Sequence, residues 1–142
     1  MSAHPLSHHR RSIRLKRYDY AGAGAYFVTM CTYKRECLFG EIVDGKMVLN
    51  AFGKIMEAEW LQTQEIRPNI ELDEYSIMPN HVHGIIIINE TVGARHRLAP
   101  TDKTHGPESG SVGAIIGQFK SITRKQINRL RDTPCRPYGK LD

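Results

Sequence analysis

The chain has 142 residues, enough for one domain with a modest core, and carries a formal net charge of +5 with pI near 9.2. No apolar run approaches the roughly 18 residues of a membrane span, and the N-terminal stretch lacks a signal-peptide apolar region, so no membrane association is expected. Three cysteines without a Cys-x-x-Cys argue against a disulfide framework or a zinc ribbon and point to reduced thiols in a cytoplasm.

The charge is segregated. Residues 1–35 hold seven bases against one acid, residues 36–89 three against nine, and residues 90–142 ten against five. Two basic ends around an acidic middle suggest a polyanion partner.

Residues 1–20 form a basic N-terminal arm. Arg10-Arg11-Ser12-Ile13-Arg14-Leu15-Lys16-Arg17 can lie along phosphates, with Tyr18 and Tyr20 available to stack on bases. The turn signal Ala21-Gly22-Ala23-Gly24 precedes a β-branched and aromatic run that predicts a strand over Ala25–Tyr33. Glu41-Ile42-Val43 and Met47-Val48-Leu49 around Asp44-Gly45 predict a small hairpin. Asn50 is a good N-cap for a helix from about 51 to 66, in which Phe52, Ile55, Met56 and Trp60 form an apolar stripe with Glu59 at its rim.

A second strand is predicted over Ile70–Ile77, and a third over His81–Ile88 after the turn Met78-Pro79-Asn80. Ile85 to Ile88 is apolar on both faces, which predicts a central strand covered on both sides. Residues 89–111 read as a mobile loop. Val112, Ile115, Ile116, Phe119, Ile122, Ile127 and Leu130 then share one face of a long helix, with Lys120, Arg124 and Arg131 along its flank. The element order is an α+β pattern with a mostly antiparallel sheet.

The chemistry centres on His81-Val82-His83. Successive strand side chains alternate between faces, so the two imidazoles share one and Val82 takes the other. Two imidazoles on rigid backbone are half of a divalent-metal site, and a hard ion would need a third, oxygen-bearing ligand.

Met78-Pro79-Asn80-His81-Val82-His83-Gly84, together with Tyr26-Phe27-Val28-Thr29-Met30-Cys31-Thr32-Tyr33-Lys34-Arg35, Leu38-Phe39-Gly40-Glu41-Ile42 and Ile116-Gly117-Gln118-Phe119-Lys120-Ser121, resembles the IS200-like single-tyrosine transposases. The likeness is strongest to their REP-associated branch and spans roughly residues 10 to 133. It implies a ferredoxin-like domain over residues 21–134, with helices on one face of the sheet. It implies Mg²⁺ or Mn²⁺ held by His81 and His83. It also implies that single-stranded or hairpin DNA is cleaved through a 5′-phosphotyrosine link, in a monomer or homodimer. Arg14, Arg17, Lys120 and Arg124 are the expected phosphate contacts.

The family carries its catalytic tyrosine on a segment after the long helix. Here the likeness ends near Pro134, and residues 135–142 form a divergent tail. Tyr138 is its one tyrosine and the candidate nucleophile, set between Pro137 and Gly139, which disfavour a helix. The alternative is a relative that binds hairpin DNA without cutting it. A larger barrel hydrolase with the same His pair needs far more chain. An RNA-binding ferredoxin-like module needs exposed aromatics on its central strands, for which His81-Val82-His83 is a poor platform.

Overall fold

The structure, a computed structural model, describes residues 15, 17–90 and 110–131. Its elements are β1 (Gly24–Cys31), β2 (Gly40–Val43), β3 (Lys46–Leu49), α1 (Ala51–Glu65), β4 (Ile70–Met78), β5 (His81–Ile88) and α2 (Val112–Leu130), with a short 3₁₀ turn at Tyr33–Arg35. The fold is α+β and ferredoxin-like, with a three-stranded antiparallel sheet in the order β1-β5-β4 and a separate two-stranded sheet, β2-β3.

Local chemistry fixes several boundaries. Asp44 (φ 50°) and Gly45 (φ 74°) take the left-handed conformation that a two-residue hairpin demands. Asn50 caps α1, its Oδ1 accepting from the Gly53 amide at 2.9 Å while its Nδ2 donates to the Leu38 carbonyl. Ser111 caps α2 in the same way, accepting from the Ala114 amide.

Both helices bury their stripes against one face of the sheet. Val82, Ile86 and Ile88 of β5 pack in one cluster with Met56 and Trp60 of α1 and Ile115, Phe119 and Ile127 of α2. Gly84 lies in that face because the Trp60 indole occupies the space a side chain would take. A Cβ at Gly84 would sit 2.4 Å from Trp60 Cζ2.

Three expectations need correction. The first strand ends at Cys31, not Tyr33, because the chain turns there to dock on the Pro79-Asn80 corner. Leu130 is 59% exposed, beyond the reach of the core that holds Ile127, and the small hydroxyl residue Thr123 is buried instead. The Thr123 hydroxyl donates to the Phe119 carbonyl one turn earlier, which satisfies it inside the helix. β5 is central, but only its Val82–Ile88 face is sealed. Its other face carries half-buried His81, His83, Ile85 and Ile87 beside exposed Phe27. The predicted loop over residues 89–111, the arm before Leu15 and the tail after Arg131 lie largely outside the described residues.

A candidate metal and nucleic-acid site on the open sheet face

Cys31 pairs with His81 and Thr29 with His83 across the β1–β5 ladder, and Met78 and Ser76 face the same two histidines from β4. The imidazoles therefore stand side by side on the face away from the helices. Their ring centroids are 4.7 Å apart, with the planes at 75°.

Each ring is held through one nitrogen. The Thr29 hydroxyl lies 2.9 Å from His83 Nδ1, and Asn80 Oδ1 lies 2.7 Å from His81 Nδ1. The Asn80 oxygen can only accept, so His81 carries its proton on Nδ1 and turns an Nε2 lone pair outward. Phe27 stacks on His83 at 5.5 Å and 23°, fixing the ring plane from the side. Burial, then His83 and Arg35 nearby, hold the His81 imidazole below its ordinary pKa, which favours the neutral form a metal ligand needs.

The Met-Pro-Asn leader also builds the turn beside the pair. The Asn80 carbonyl accepts from both the Thr32 amide and the Thr32 hydroxyl, Asn80 Nδ2 donates to the Arg35 carbonyl, and the Pro79 carbonyl accepts from Phe39 N. Within that clamp Lys34 (φ 51°) and Arg35 (φ 59°) are left-handed, a conformation that costs a residue with a Cβ roughly 1–2 kcal/mol. The strained turn places Arg35 within electrostatic range of His81.

A second cation arrives from α2. Lys120 is partly buried, and burial pushes its ammonium down to about 8, with Cys31 opposing the shift. Cys31 is the cross-strand partner of His81, so Lys120 lies toward the same end of the sheet, with its Nζ buried. Arg124 is exposed one turn further along, and Arg131 lies 4.5 Å over the Phe52 ring, where it pins α2 against α1. Arg17 is exposed at the start of the described chain, while Arg14 and Tyr138 lie outside the described residues.

As a metal site the arrangement is half-built. The two imidazoles offer nitrogen donors side by side, yet among the described residues no three His, Cys, Asp or Glu side chains come together in a group able to hold a metal ion. Three of the described tyrosines have their hydroxyls engaged elsewhere in the fold. The Tyr26 hydroxyl donates to the Gly22 and Asp19 carbonyls, the Tyr75 hydroxyl donates to Glu57 Oε1, and the Tyr20 hydroxyl accepts from the Leu15 amide. Burial raises the Tyr26 and Tyr75 phenols above their usual pKa, the wrong direction for a nucleophile.

Sequence reasoning singled out the two histidines but not Thr29, Phe27, Asn80 and Arg35, which the structure sets around them. Alternation along β1 held the signal for Thr29 and Phe27. The β1–β5 register was needed to read it.

No family model matches the chain. A search of known proteins finds a Haemophilus influenzae relative, described as an uncharacterized protein, that is 42% identical over 118 residues. The match takes in 80% of this chain and 66% of the relative.

Proposed function

We propose that the chain is a DNA transposase of the IS200-like type that binds single-stranded or hairpin DNA on its open sheet face. The observation that carries this reading is the anchored imidazole pair with a cation at the same end. His81 and His83 are each held through Nδ1 on a rigid central strand, and Arg35 stands near His81.

His81 and His83 would hold Mg²⁺ or Mn²⁺, with the remaining positions taken by water, phosphate oxygens or groups outside the described residues. The ion supplies charge neutralisation at the non-bridging oxygens of a phosphodiester. Asn80 fixes the tautomer of His81, and Thr29 holds the orientation of the His83 ring. Arg35, Lys120, Arg124, Arg17 and Arg14 draw the phosphate backbone to this end. The Tyr138 phenol then attacks phosphorus, the P–O3′ bond breaks, and the phenolic proton ends on the departing 3′ oxygen. The products are a 5′-phosphotyrosine and a free 3′-OH, and strand transfer reverses the step.

A second reading is binding without cleavage. It is favoured by the hydrogen-bonded hydroxyls of Tyr20, Tyr26 and Tyr75 and by the helix-disfavouring neighbours of Tyr138. Incubation with a hairpin-ended single strand and Mn²⁺, followed by a denaturing gel, separates the two. A shifted covalent band that Tyr138→Phe abolishes supports the transposase. Tight, salt-sensitive binding with no covalent band from either protein overturns cleavage and leaves the binder.

A further inference from the structure

A large aromatic side chain is usually buried on a sheet, because leaving it in water forfeits its hydrophobic stabilisation. Phe27 departs from this. It lies mid-strand on β1, on the open face, and is 69% exposed. Its cross-strand partner is Ile85, with Ala25 and Ile87 the next pair along, so it heads a shallow apolar strip running away from the histidines. On the other side its ring stacks nearly parallel to His83.

The charges on this face are ordered along the strands. Arg35 lies near His81 at the end where β5 begins. Exposed Glu71 pairs with Ile87 near the far end, and exposed Asp73 and Glu74 fall in the β4 bulge between Leu72, opposite Ile86, and Tyr75, opposite Gly84. A polyanion lying here has its phosphates drawn to the histidine end and repelled from the far end. The apolar strip is left for uncharged, flat groups.

We propose that Phe27 is a stacking platform for an unpaired nucleobase of single-stranded DNA, seated next to the base whose phosphate lies at the His81–His83 pair. This rests on the DNA-binding reading above and adds what that reading lacks, a means of preferring unpaired over paired DNA. A base inside a duplex has both faces covered by its neighbours and cannot offer one to the ring. Stacking on an aromatic side chain tolerates any base, so this contact selects strandedness and not sequence.

The test uses the full chain in EDTA, so that any effect through His83 on metal binding is removed. Affinity is measured by fluorescence anisotropy for a labelled single-stranded oligonucleotide of about twenty residues, for the blunt duplex of the same sequence, and for the matching RNA. Phe27→Leu keeps an apolar side chain and loses the ring, while Phe27→Trp enlarges the ring. The expected result is that Phe27→Leu weakens single-stranded DNA binding about tenfold or more, leaves duplex binding unchanged, and does not alter the slope of affinity against salt. Phe27→Trp should bind at least as tightly as the native chain. Lys120→Gln should instead weaken both DNA forms and lower the salt slope by about one unit.

Equal single-stranded affinity for Phe27→Leu and the native chain, with Lys120→Gln still impaired, overturns the platform and leaves the DNA-binding reading standing. No salt-sensitive binding of any DNA by the native chain overturns both. Binding confined to the RNA overturns the assignment to DNA.

Discussion

Two residues on β5 show how little separates a structural constraint from a functional one. Gly84 follows His83 in the motif and reads as part of it, yet its role lies on the opposite face. Its missing side chain admits the Trp60 indole, which is fully buried at the centre of the core. Gly84→Ala should destabilise the fold by about 1–3 kcal/mol through overpacking, measured by urea denaturation. The same change in a Trp60→Leu background should cost clearly less, since the clashing atoms are gone. On the other face, Thr29 is exposed, and its hydroxyl lies 2.9 Å from His83 Nδ1. Thr29→Val should leave the urea midpoint within error and weaken Mn²⁺ binding by about 10- to 100-fold, the range typical of lost partners to metal-bound histidines. Calorimetric titration with Mn²⁺ would read it. Unchanged Mn²⁺ affinity would remove Thr29 from the site.

At the level of elements, the regular pieces were legible from sequence because their signals are local. β5 runs from His81 to Ile88 as alternation predicted, and α1 begins after its Asn50 cap. What sequence reasoning could not reach depends on pairing between distant segments. The run of four isoleucines looked sealed on both faces, but the helices pack on one side only, and the other side shows half-buried Ile85 and Ile87 beside an exposed Phe27. The β1 boundary moved for the same reason, since Thr32 leaves the strand to bond the Asn80 carbonyl from 48 positions away. The turn that results is strained at Lys34 and Arg35, and strain held by a clamp is a hint of function. Lys34→Gly relieves a left-handed residue at some cost in chain entropy, and a net gain of about 0.5–1 kcal/mol is expected. Asn80→Ala should do the reverse, releasing the turn from Asn80 Nδ2 and His81 from Asn80 Oδ1 in one step. Its loss of DNA affinity should exceed that of Lys34→Gly, and a smaller loss would show that the clamp does not present Arg35.

Across the whole molecule the segregated charge meets the fold at Lys120, where one ammonium serves two opposing demands. Burial on α2 opposes its charge and lowers its pKa to about 8, while the proposed DNA phosphate at the adjoining end of the sheet would require that charge. The two demands give opposite pH dependences. In the unfolded chain a lysine titrates near 10.4. Below about pH 8 both states hold the proton, so the cost of burying the charge is felt in full. Above it the folded state releases the proton first, the unfolded chain binds more protons, and stability rises with pH. The rise ends near pH 10, where the Tyr26 and Tyr75 phenols, held above their usual pKa in the fold, begin to favour the unfolded chain. Under the proposed DNA-binding reading affinity should run the other way over the same interval, because a lost cation would remove a phosphate contact. Between pH 7 and 9 the native chain should therefore gain thermal stability while its affinity for single-stranded DNA falls. Lys120→Met should be more stable than the native chain at pH 7, bind DNA more weakly there, and lose most of both slopes. Parallel slopes in Lys120→Met and the native chain would assign the titration elsewhere and separate Lys120 from the phosphate path.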